Sequence, residues 1–347
     1  MKSPMNLMTK KKTAKMPNKQ NTIMMKVKKA TNRLLLCIGI CFLSNGVFAA
    51  KEKLTDPSPD EKDLMQASMV GDIDTVKLLL QKNVSVHAHG RYGKNALMFA
   101  IEEGSDDVAQ LLIDKGADVN ALTKPGCTAL TFAAEGGYPE LTTLLLSKGA
   151  KTHNKTRAGW DALMMSVIYN YPEVLKILID AGANVDTQDK NGNTALMAAA
   201  QRGHLKIIDI LLQTGANTEI RNKDGGSALM VAASHGQTEI IKQLLQRGCS
   251  IDAQSDDGST SLFWASEANQ LDAMKLLLEN GANPDHQDLD GSTAVIEAYI
   301  QRNFEAATLL YKYGANPNIK DNDGLSGLDY AKKVYEYDGM HKRKKKR

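Results

Sequence analysis

Cysteine, aromatic side chains and long apolar runs are all scarce in this 347-residue sequence. Two of the four cysteines, Cys37 and Cys41, sit inside the apolar run 34–43 near the N-terminus. Once that segment is set aside only Cys127 and Cys249 remain, too few for a disulfide framework. The run itself is about half the ~20 apolar residues a membrane helix needs. Acidic residues are absent from residues 1–50, which carry ten basic ones, and residues 342–347 add six more. Removing both ends leaves 27 basic against 40 acidic residues, a body with a net charge of −13. Such a body repels phosphate, which makes it a poor candidate for a nucleic-acid groove. A charged fraction of 24% excludes wholesale disorder.

Catalytic and metal-binding patterns are also missing. The sequence has no phosphate loop, no Gly-x-Ser-x-Gly, no His-Glu-x-x-His and no paired Cys-x-x-Cys. The nearest metal pattern joins His286, Asp288, Asp290 and Glu297, but a calcium loop wants a carboxylate at its first position and still coordinates where a helix is expected here. His87 and His89 supply two ligands, fewer than a stable site uses. No enzyme, metal or cofactor is expected.

The N-terminus has the order of an export signal: Lys26, Lys28, Lys29 and Arg33, then the apolar run, then small residues to Ala50. Cleavage after Ala49 places Val47 and Ala49 at the two positions that want small side chains. Residues 1–24 then form a basic extension upstream of Met25, residues 25–49 the signal and residues 50–59 a linker. The alternatives are a buried helix or an uncleaved anchor, and an anchor with this basic flank still puts the remainder outside the cytoplasm. A periplasmic or secreted location is expected.

Glycine is what the chain has in abundance, and it is periodic. Gly93, Gly126, Gly159, Gly192, Gly225, Gly258, Gly291 and Gly324 are spaced by 33 residues, and Gly116, Gly149, Gly182, Gly215, Gly248, Gly281 and Gly314 keep the same step. Two glycine series locked in phase define a repeat protein. Two residues after each glycine of the first series stand Asn95, Thr128, Asp161, Thr194, Ser227, Thr260 and Thr293, all helix N-caps. The first helix then buries Leu97, Leu130, Leu163, Leu196, Leu229 and Leu262, with Val295 in the last unit. Paired leucines such as Leu111–Leu112 and Leu144–Leu145 mark a second helix, which the second glycine ends in the left-handed conformation.

These units resemble ankyrin repeats. The resemblance rests on Gly192 to Met197 for the helix start, Gly203–His204 between the helices and Gly116 to Asn120 at the exit. It covers residues 60–338 and implies an all-α solenoid of stacked helix-turn-helix units. Residues 60–92 form an N-terminal cap, 93–323 seven repeats, 324–338 a C-terminal capping helix and 339–347 a basic disordered tail. Alanine stands for the family's proline in most helix starts, and Met98, Met164, Met197 and Met230 for its histidine. Cys127 and Cys249 lie nearly four units apart, at ~10 Å per unit, which is beyond disulfide reach. Cys249 is read as structural and Cys127 as a thiol at a turn tip.

The resemblance further implies a non-enzymatic scaffold that binds a protein on its concave side, through turn tips and the ends of the first helices. Carried onto this sequence, the tips are Lys94, Cys127, Trp160, Asn193, Gly226, Ser259 and Ser292. One unit concentrates aromatic and basic side chains there: Arg157, Trp160, Asp161, Ile168, Tyr169 and Tyr171, the composition of a binding hot spot. The competing reading folds Trp160 onto its own repeat and makes Tyr171 a substitute for the family histidine. Glu102, Glu103 and Glu135 on one side favour a basic partner edge, and Arg202 lies on the other. Trp264 is read as core. Lys342–Arg347 is open to three readings: a solubilising end, a contact with polyanions or lipid headgroups, and a nuclear-import signal. The chain is expected to be a monomer with one protein partner, either as a regulator in the envelope or as a secreted effector on a host-cell protein.

Overall fold

The computed structural model describes residues 56–333. The signal, the upstream extension and the basic tail lie outside the described residues. The polar pieces of each unit set its local geometry before any packing. Asn95, Thr128, Asp161, Thr194, Ser227 and Thr293 each cap a first helix by accepting a backbone N–H three residues on. Thr260 occupies the same position without a side-chain cap bond. The first helices that follow are α3 (Ala96–Glu102), α5 (Ala129–Gly136), α7 (Ala162–Ile168), α9 (Ala195–Arg202), α11 (Ala228–Ser234), α13 (Ser261–Glu267) and α15 (Ala294–Ile300). A one-residue left-handed connector leads to the second helices α4 (Asp106–Asp114), α6 (Pro139–Ser147), α8 (Pro172–Asp180), α10 (Leu205–Gln213), α12 (Thr238–Gln246), α14 (Leu271–Glu279) and α16 (Phe304–Lys312). An N-terminal pair, α1 (Pro59–Met69) and α2 (Ile73–Gln81), opens the array. Its first helix starts inside the expected linker, where Ser58 and Glu61 form a reciprocal capping box. A final helical run, 327–333, reaches the end of the described residues.

Two layers result. First helices stack on first helices from α1 to α15, and second helices on second helices from α2 to α16. Between the layers Leu97, Leu130 and Leu163 are fully buried, and Leu196, Leu229, Leu262 and Val295 are 2% exposed or less. The methionines that stand where the family has histidine are equally buried, at 2% or less. They add flexible apolar volume to the layer where the rigid Pro-Leu-His corner is missing. Among the described residues no helix is long and apolar enough to cross a membrane.

The turn tips are tied together by a ladder of backbone hydrogen bonds. Lys124 donates its N–H to the carbonyl of Tyr92 at 2.8 Å, Arg157 to Pro125 at 2.8 Å, Lys190 to Ala158 at 3.0 Å and Lys223 to Asn191 at 2.9 Å. Leu289 repeats this to Asp257 at 2.9 Å, and Asn322 to Asp290 at 3.0 Å. The tips therefore form one ridge with a fixed rung in each of these units.

Three burial expectations need correction. Cys127 is buried, because its N–H turns inward to the Thr123 hydroxyl at 2.8 Å. Gly226, Ser259 and Ser292, read as tips, are buried too; in these three units the exposed edge lies one and two residues before the turn glycine instead. Trp264 is half-buried rather than core, its ring lying over the Gly226 backbone of the preceding unit. Cys249 is also a buried thiol.

Candidate partner-binding surface

The unit opened by Gly159 separates its predicted side chains into three environments. Asp161 is 4% exposed and spends its carboxylate on the Met164 N–H at 2.9 Å, with burial pushing its pKa up. Ile168 is 8% exposed and belongs to the packed layer. Neither presents a surface to a partner, because the first helices of both flanking units pack against α7. Arg157 is exposed on the ridge.

The aromatic residues occupy the boundary. Trp160 is half-buried, and its indole Nε1 donates to Asp189 Oδ2 at 3.4 Å. It leans on the next unit's turn, not on its own repeat. Tyr169 is half-buried and donates its hydroxyl to Glu135 Oε1 of the preceding unit at 3.0 Å. Tyr171 has a different task. It belongs to a row of residues spaced by one period, Tyr138, Tyr171, His204, Gln237, Gln270 and Asn303. Several of these bond back to the preceding unit: His204 Nδ1 to the Val167 carbonyl at 3.0 Å, Asn303 Nδ2 to the Ser266 carbonyl at 3.0 Å and Tyr138 to the Glu102 carbonyl at 3.4 Å. Tyr171 lies over the connector of that unit so closely that a methyl on Gly137 would run into its ring. It is a strut between units, filling the position of the family histidine.

The preceding two units complete the surface with a further group around Lys94. Lys94 reaches across from its tip so that Nζ sits 4.8 Å from the Phe99 ring centre and 4.5 Å from that of Phe132, while pairing with Glu102. Cation–π contacts of this kind hold a lysine head between two aromatic faces. The signal for it was present: tips and the sixth residue after each turn glycine face one another, and here they are Lys94, Phe99 and Phe132. Glu103 is exposed and Glu102 and Glu135 are half-buried, so three carboxylates line an edge that Lys94 only partly balances. On the far side Arg202 is exposed and donates to its own helix, at the Ala198 carbonyl, 3.4 Å away.

With the fold and this surface in view, the family assignment is direct. The family profile of ankyrin repeats matches residues 41–123, 64–156, 121–189, 163–255 and 229–321. The chain belongs to the ankyrin-repeat family. A comparison with curated proteins finds no match. Ankyrin repeats are general protein–protein interaction modules, and among the described residues no group of three His, Cys, Asp or Glu side chains is arranged to hold a metal ion.

Burial raises the pKa of Glu135, and the Tyr169 hydroxyl offsets that only in part. The folded state thus binds this proton more tightly than the unfolded chain, so the contribution of Glu135 to stability falls as pH rises from its ordinary value of 4.5 through the raised one. Glu135→Gln keeps an acceptor for Tyr169 and removes the buried charge. It is expected to raise the melting temperature at neutral pH and to leave it unchanged below pH 4.5, which thermal scans across that range would check.

Proposed function

We propose that this ankyrin-repeat chain is an exported, non-enzymatic scaffold or regulator that holds one protein partner across the tips and first-helix ends of the units opened by Gly93, Gly126 and Gly159. The observation that carries the reading is the half-buried pair Trp160 and Tyr169, with Tyr169 bonded to Glu135 of the carboxylate edge formed with Glu102 and Glu103. Aromatic groups already fixed by hydrogen bonds lose little freedom on binding, and such anchors dominate interface energies. The carboxylates select a partner edge bearing Lys or Arg, and complementarity of that kind governs partner choice and association rate. Export rests on the order of residues 25–49, which places the partner in the envelope or outside the cell.

Capture from an envelope extract, with the wild type and Trp160→Ala/Tyr169→Ala in parallel, tests this. A protein retained by the wild type and lost by the variant, with identical circular dichroism, is the expected result. Equal retention by both would remove these aromatics from the site. Failure to capture any envelope protein would sink the envelope scaffold and leave a host-cell protein as the target.

A further inference from the structure

Laid on the 33-residue period, the ridge charges separate into two blocks. The residue two before each turn glycine is Arg91, Lys124, Arg157, Lys190 and Lys223 in the first five units, and all five are exposed. The residue one before it is Asp224, Asp257, Asp290 and Asp323 in the last four, again all exposed, with Asp256 adding to the sixth unit. The acidic body therefore conceals a bipolar edge, basic at its N-terminal end and acidic at its C-terminal end.

We infer that this ridge is a self-complementary surface that pairs with a second copy of the chain in antiparallel orientation. Three features lead there. First, a two-fold pairing brings unit one against unit eight, two against seven and three against six. That sets Arg91 against Asp323, Lys124 against Asp290 and Arg157 against Asp256, and each match occurs twice by symmetry. Second, both blocks are built on the same repeat, so their charges recur at one spacing, ~10 Å. A second copy is commensurate with the ridge by construction, which an unrelated chain is not. Third, the rungs at Lys124, Arg157, Lys190, Leu289 and Asn322 hold the tips in place, so little backbone order is lost on pairing. Parallel copies in register would set like charges together. Parallel copies shifted by half the array would match one block only and grow into open filaments, whereas the antiparallel pair closes.

Exposed ion pairs are individually weak and screened by salt, so the pairing is conditional on ionic strength. It does not rest on the partner proposed above, although the tips of the first three units, with Arg91, Lys124 and Arg157, lie on both surfaces and the two contacts compete there.

Sedimentation of the full-length chain tests the inference. The wild type is expected to double its mass at about 0.01 M salt, where charges act over roughly 30 Å, and to revert to one copy at about 1 M, where they act over roughly 3 Å. Arg91→Glu/Lys124→Glu/Arg157→Glu and Asp256→Lys/Asp290→Lys/Asp323→Lys should each remain single copies when alone. Mixed in equal amounts, the two variants should pair, because every reversed charge then meets its opposite. The terminal basic segments are unchanged in both, so association through them would persist in each variant alone and overturn the proposal. A wild type that stays single at low salt would overturn it, as would open polymers or a mixture that fails to pair. Circular dichroism of each variant guards against misfolding, and the rescue on mixing cannot come from unfolded chains.

Discussion

Gly159→Ala is expected to lower the unfolding free energy by about 3 kcal/mol, against about 1 kcal/mol for Gly182→Ala. Both glycines have positive φ, +85° and +82°, so each alanine carries the left-handed penalty of an L side chain. They differ in what lies beside the missing methyl. At Gly182, the exit of α8, nothing is within 4 Å. At Gly159 the methyl would meet the Lys190 nitrogen at 2.7 Å and the Asp189 backbone at 3.0 Å. Those atoms belong to the next rung, where Lys190 donates to the Ala158 carbonyl. Backbone cannot rotate aside as a side chain can, so the rung must open. Asp189 also receives the Trp160 indole, so the same change is expected to loosen the candidate surface. Urea titrations of the two variants would decide it, and equal costs would show that the close approach between tips is not rigid.

That contrast also marks what the sequence discloses and what it conceals. A 33-residue period with an N-cap, a leucine and two glycines at fixed offsets is enough to specify paired helices, because each offset is a local rule. Burial at the unit boundaries is not local. Ile168 and Asp161, at opposite ends of α7, look exposed when the Gly159 unit is considered alone, and they are covered because the first helices of both neighbouring units pack against α7. Trp160 could lie on its own repeat or on the next, and only the position of Asp189 decides. Tyr171 was readable, since it occupies the column of His204, whose back-bond to the preceding unit shows what that column does. The ridge charges were readable as well, yet disappear when charge is summed over a body with a net of −13. Charge has to be placed on the same period as the glycines before its sign means anything about a surface.

Leu163→Ala separates support of the surface from membership in it. Leu163 is fully buried in α7, inside the same unit that carries Trp160 and Tyr169. Truncating a buried leucine loses transfer free energy and leaves a cavity, together about 3 kcal/mol. In a solenoid that loss is not spread over a single core. It falls on one unit and its two interfaces, here with α5 and α9, since stability is a sum of unit and nearest-neighbour contributions. The expected urea profile therefore has a smaller m-value or two transitions, because the halves on either side of α7 no longer unfold together. Partner capture should fall in proportion to the unfolded fraction and recover in a stabilising osmolyte, which strengthens burial. Trp160→Ala/Tyr169→Ala should behave oppositely, losing capture with the m-value intact and no rescue by osmolyte. A single unchanged transition for Leu163→Ala would mean that the array shares the defect across all its units, and that the nearest-neighbour account of its stability is wrong.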